Sequence, residues 1–205
     1  MKILALSPHT DDCEIGCGGS LYKHYALGHE IRHIAFSMAV KSIPPGFTKD
    51  ATRKEVFEAS RVIGATDVQI HDFPVRDFPA YRQEILELMT AINKEFGPDI
   101  VFLPSTFDTH QDHQVITQEG FRAFKYSTIL GYEIPWNNLQ FSTQAFVVLY
   151  KDQIDKKIKA VDTYESQKIR LFGGSDFIRT LATFRGNQIH TDYAEAFEVI
   201  RWIVR

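Results

Sequence analysis

Ile3-Leu4-Ala5-Leu6, running into Ser7-Pro8-His9-Thr10-Asp11-Asp12-Cys13-Glu14-Ile15-Gly16-Cys17-Gly18-Gly19, decides the fold. The apolar run has the length of a buried strand, and the residues after the turn lead into a helix predicted over Gly18 to Ala26. One imidazole and two adjacent carboxylates therefore stand at a strand end, where open parallel sheets build their ligand sites. The same order returns later, with the run Ile100 to Leu103 followed by His110-Gln111-Asp112-His113. Two strand ends can bring both sets of side chains to one metal ion.

Outward from these anchors, apolar runs and helical patterns alternate. Strands are predicted at Lys2 to Leu6, Ile31 to Ser37, Val68 to His71 and Ile100 to Leu103. Helices are predicted at Ala51 to Ile63, Tyr81 to Phe96 and His113 to Phe124, and Gly28, Gly64 and Gly97 fall where helices should stop. Ile85, Leu88, Met89, Ile92 and Phe96 recur at three and four, the stripe a helix lays on a sheet. Repeated strand, helix, strand order implies right-handed crossovers and an α/β, Rossmann-like, mostly parallel sheet with helices on both faces. Later segments are less regular. Ile129 to Asn138, with Gly131, Pro135 and two asparagines, reads as a loop; Ala145 to Tyr150 and Ala196 to Val204 read as strands. Gln153 to Thr163, Ser166 to Phe172 and Asp176 to Phe184 read as helices.

The chain has 205 residues, 44% of them hydrophobic, enough for one buried core, so residues 1–205 are expected to form a single domain. A formal net charge of −3 and a pI near 6.2 give no positive surplus to neutralise a phosphate backbone, which argues against a nucleic-acid partner. The apolar start is too short for a signal peptide and no stretch is long enough to insert in a membrane, so a cytoplasmic location is expected. The sequence leaves self-association into a homo-oligomer open. Two cysteines, Cys13 and Cys17, cannot make a four-cysteine zinc site and read as small buried groups.

A divalent ion such as zinc in a catalytic site takes three protein ligands from His, Asp and Glu and keeps one position for water. His9, Asp12 and one of His110 or His113 supply that set. Asp11 cannot readily point the same way as its neighbour Asp12, which leaves it to act as a base beside the water. Gly16, Gly18 and Gly19 lack the spacing of a dinucleotide fingerprint, and Asp11 and Asp12 would repel a pyrophosphate there. Close packing of the first helix on the sheet is the better use of these glycines.

The first segment is similar to A-H-P-D-D-E-E-I-G-C-G-G, and the second to H-x-D-H, both patterns of the LmbE-like or PIG-L family of metal-dependent N-deacetylases. Arg53, Glu55 and Ala59 extend the likeness through the family's R-x-E-x-x-x-A helix. Thr10 and Cys13 depart from the pattern, at positions that are not ligands. The resemblance implies one divalent ion, zinc by expectation, held by His9, Asp12 and His113, with His110 as acid or oxyanion partner. Asp112 is then expected to hydrogen-bond a ring nitrogen of His110. It also implies hydrolysis of the acetamide of a small N-acetylated amino sugar or its nucleotide-, lipid- or thiol-linked conjugate. The alternatives are a metal hydrolase of another amide or an ester, and a catalytically idle sugar-binding protein.

For the sugar itself, Tyr132, Trp136 and Asn137 offer aromatic faces and an amide in one stretch, the mixture small polar-ligand pockets use. The resemblance also implies that Arg53 opens a helix whose start faces the site, which makes its guanidinium the expected cationic contact. Asp72, Arg76 and Asp77 follow the third predicted strand and are further candidates for the mouth.

Overall fold

In the computed structural model, residues 1–167 and 174–204 are described. They form one seven-stranded sheet with strands β1 (Lys2–Ser7), β2 (Glu30–Ala35), β3 (Asp67–Ile70), β4 (Ile100–Pro104), β5 (Thr128–Tyr132), β6 (Ala145–Leu149) and β7 (Tyr193–Arg201). The helices are α1 (Asp12–Ala26), α2 (Ala51–Val62), α3 (Arg82–Phe96), α4 (Gln111–Ala123), α5 (Lys151–Asp162) and α6 (Gly174–Asn187). The spatial order is β3-β2-β1-β4-β5-β7-β6, parallel from β3 through β5, with β7 antiparallel to both its neighbours.

Alternation along β1 shows why both faces must be covered. Ile3 and Ala5 join Ile15, Leu21, Val56, Ala160 and Ile178, so α1, α2, α5 and α6 cover one face. Leu4 and Leu6 join Ile85, Met89, Val115 and Ile116, so α3 and α4 cover the other. The stripe predicted on α3 is the one that packs, with Ile85, Met89, Ile92 and Phe96 all buried. Each such side chain contributes about 1.5–3 kcal/mol by leaving water.

Several local expectations change. Helix α1 starts at Asp12 rather than Gly18, because its glycines are needed inside it: a Cβ on Gly16 would lie 2.3 Å from the Tyr132 ring, and one on Gly19 would lie 2.6 Å from Leu149. The stretch from Ile129, read as a loop, begins with the buried central strand β5. Gly131 misled that reading; it is there because a Cβ would sit 3.0 Å from the Ser105 backbone on β4. The last strand runs from Tyr193 to Arg201, earlier than expected, and the helix expected from Ser166 reduces to a single turn over Glu165–Gln167, its remainder lying outside the described residues. The helix predicted from Tyr81 begins at Arg82, after a tighter turn over Phe78–Tyr81.

Strand β1 has β2 and β3 on one side and β4 and β5 on the other. The chain leaves β1 and β4 in opposite directions at this switch point, opening a crevice beyond their carboxyl ends. Ile3 pairs with Ile100 and Ala5 with Phe102, which brings the residues after β1 beside those after β4.

Candidate active site

His9, Asp11 and Asp12 follow β1, and Asp108, His110, Asp112 and His113 follow β4. Helices α1 and α4 both begin here, so their positive ends face the same carboxylates, a favourable arrangement for negative charge. His9, Asp11, Asp12, His110 and His113 line a cavity of about 530 Å³, with Asp108 and Asp112 buried behind them.

Three atoms form a nearly equilateral triangle at its floor. His9 Nδ1 lies 3.3 Å from Asp12 Oδ2, His113 Nε2 lies 3.4 Å from the same oxygen, and the two nitrogens are 3.4 Å apart. Ligands about 2.0–2.1 Å from a tetrahedral zinc ion stand roughly 3.3–3.4 Å from one another, so this donor set fits such an ion. His9, His110 and His113 can also each present one atom within 4.8 Å of the others, a looser grouping. Of the two groupings, the set of His9, Asp12 and His113 has the spacing of ligands around one tetrahedral ion.

Both imidazoles are oriented from behind by carboxylates. His9 Nε2 lies 2.9 Å from Asp112 Oδ2, and His113 Nδ1 lies 2.8 Å from Asp108 Oδ2. Such partners fix the ring and tautomer of a metal-binding histidine and raise its basicity. Asp112 also accepts from the backbone N–H of Arg76 at 2.6 Å and of Phe78 at 3.3 Å. The expected bond from its carboxylate to His110 is not made. Instead the Asp112 backbone N–H donates to His110 Nδ1 at 3.2 Å, because His110 is the cap residue of α4. A neutral His110 accepting at Nδ1 carries its proton on Nε2, as a donor toward the cavity it lines.

Charge follows from this packing. Burial alone would lower the His9 imidazolium, yet hydrogen bonds to Asp112 and Asp12 carry it up to about 10, the signature of a pocket that favours a cation. Burial pushes Asp12 up, but the His113 charge and the His9 contacts outweigh it and hold the carboxyl well below the usual range. Asp11 goes the other way, raised to about 6 by burial first and by the Asp12 charge second. Burial and the neighbouring charges of His113 and His9 lower His110.

The expected sugar contacts divide. Trp136 and Asn137 line the cavity, Trp136 tilted against Phe177 with ring centroids 5.7 Å apart. Tyr132 does not: its ring is fully buried under Gly16 and its hydroxyl donates to the Leu6 carbonyl at 2.9 Å, so it is a core residue. Arg53 does not line the cavity either; it is exposed on α2 over its own neighbour Phe57. Arg76 lines the mouth, whereas Asp72 and Asp77 do not. Sequence reasoning missed Asp108, whose five-residue offset from His113 was the available signal, and Lys41, which has no motif around it.

The chain is 25% identical to a diacetylchitobiose deacetylase of Thermococcus kodakarensis, over 97% of this chain and 83% of that protein. A conserved protein of Thermus thermophilus is 25% identical, with a TM-score of 0.85 over 99% of this chain and 96% of that one. A 4-carboxy-2-hydroxymuconate hydratase of Pseudomonas putida, 19% identical, shares the fold with a TM-score of 0.83 over 100% of this chain and 98% of that one. The PIG-L family, described as GlcNAc-PI de-N-acetylase, matches residues 4–124, which run from within β1 through α4 and hold every residue of the triangle and its supports. The chain belongs to the PIG-L family.

Proposed function

We propose that the protein is a metal-dependent hydrolase that removes the acetyl group of an N-acetylated amino sugar, releasing acetate and a free amine. The observation that carries this reading is the triangle of His9, Asp12 and His113 with Asp11 beside it. The named deacetylase among its relatives supports it. A divalent ion, zinc by the chemistry of the donors, supplies a lowered pKa for water and a polarised amide carbonyl when bound.

The chain's own groups handle the protons. Asp11, raised toward neutral pH, takes a proton from the attacking water as its oxygen bonds to the carbonyl carbon. His110 Nε2–H donates to the oxygen that gains negative charge as that carbon becomes tetrahedral. The C–N bond then breaks, and the proton held on Asp11 is available to the departing nitrogen. Asp108 and Asp112 react with nothing; they hold His113 and His9 in register. No described helix is long and apolar enough to cross a membrane.

The test is metal content together with acetate release from a panel of N-acetylated sugars. About one divalent ion per chain and metal-dependent acetate release are expected. A sugar that binds without releasing acetate would instead support an idle binding protein. Acetate release only from unrelated amides or esters would move the chain to a broader hydrolase class.

A further inference from the structure

The rim of the cavity carries two cations that this chemistry leaves unused. Lys41, after β2, and Arg76, after β3, both line it and are exposed, while of the lining carboxylates Asp11 is half-buried and Asp12 buried. Among the described residues no carboxylate side chain forms an ion pair with either cation.

Strained backbone presents them. Three described non-glycine residues have positive φ, and two of them line this cavity: Ala39 at 49°, two residues before Lys41, and Arg76 itself at 69°. Arg76 is held at both ends of its peptide frame, its N–H donating to Asp112 Oδ2 at 2.6 Å and its carbonyl accepting from Gln111 Nε2. Left-handed backbone at a side-chain-bearing residue persists only where the surroundings over-determine it, and such positions cluster at ligand clamps. The carboxylate that orients His9 thus also fixes where the Arg76 side chain starts.

Two cations at the mouth of a cavity with no carboxylate paired to them leave their charge available to an anionic group of the ligand. A guanidinium matches phosphate or carboxylate through paired N–H donors, and an ammonium adds a point charge. Resting on the deacetylase reading above, we infer that the substrate is an N-acetylated amino sugar bearing an anionic group, phosphate or carboxylate, which Arg76 and Lys41 hold at the rim while the acetamide enters the floor. Trp136 and Asn137 remain for the uncharged part of the ring.

The test compares N-acetylglucosamine, N-acetylglucosamine 1-phosphate, N-acetylglucosamine 6-phosphate and N-acetylmuramic acid on the metal-loaded protein, by calorimetric binding and by acetate release. At least one anionic sugar should bind tenfold or more tighter than the neutral one, and that ratio should fall toward one in Arg76→Gln/Lys41→Gln and in high salt. Arg76→Lys should keep part of the preference. Lys41→Gln alone, outside the strained Arg76 segment, should lower the ratio without any question of folding. Phosphate and carboxylate sources are separated by which sugar shows the larger ratio. Equal binding of neutral and anionic sugars, or a preference that survives the double variant, overturns the rim assignment whatever the activity. A charge-dependent preference without acetate release would leave the rim assignment standing and overturn the deacetylase reading.

Discussion

Asp108 and His113, five residues apart, meet through a 2.8 Å contact between Oδ2 and Nδ1 while the other oxygen of Asp108 accepts the His110 backbone N–H at 2.8 Å. One carboxylate therefore orients the His113 imidazole and holds the loop that carries His110. Asp112 does the equivalent for His9 across the sheet's switch point.

These supports predict a graded loss of metal. His9→Ala, Asp12→Ala and His113→Ala should each remove most of the bound ion, whereas Asp108→Asn and Asp112→Asn should weaken affinity by about 10–100-fold. Metal content by elemental analysis and competition with a chelator measure both. Stoichiometric metal in a His9→Ala/His113→Ala variant would exclude this ligand set.

Base and donor should separate from ligands. Asp11→Asn should keep the ion and the fold while slowing turnover by about 10²–10⁴-fold, and His110→Ala should slow it with metal still bound. Acetate release against metal occupancy reads the difference. Unchanged turnover in Asp11→Asn would remove that carboxylate from the reaction, and metal loss in His110→Ala would make His110 a ligand.

Acid stability should depend on a pair far from the cavity. His24 Nδ1 and His29 Nδ1 are 2.9 Å apart, a hydrogen bond that needs one ring neutral as acceptor. Burial first, then the charges of His29 and Lys23, lower His24 from 6.5 to about 4. The unfolded chain therefore binds more protons than the native one between these values, and stability falls as pH drops from about 6.5 to 4. Urea midpoints at pH 7 and pH 5 should differ less in His24→Gln than in the natural protein. An identical pH dependence in both would show that the pair does not titrate with folding.

Packing of α1 on β5 should tolerate no added methyl. Gly16→Ala places a Cβ 2.3 Å from the buried Tyr132 ring, and overpacking of this kind costs about 1–3 kcal/mol. Denaturant unfolding should show that loss. Because Asp12 and Gly16 share α1, metal affinity should weaken as well. A Gly16→Ala variant of natural stability would mean that the helix can withdraw from the sheet at no cost.

Period and spacing in the sequence determined the layers, because a strand followed by a helix with an apolar stripe has one way to bury both. The strand-end positions of His9, Asp12 and His113 were legible for the same reason. The role of Asp112 was not, since the hydrogen bonds of a carboxylate depend on which donors the fold brings near, and His9 lies 103 residues away. Tyr132 and Arg53 show the same limit. Aromatic character fits a sugar pocket or a core equally well, and only the closeness of Gly16 assigned Tyr132 to the core. Arg53 satisfies a helix pattern but stands exposed on α2 away from the cavity, while Arg76, legible only as one of three candidates after the third strand, lines it from a left-handed backbone held by Asp112. Local chemistry fixes which groups a chain owns; which of them meet is decided by long-range strand pairing and close packing, where contacts join residues remote in sequence.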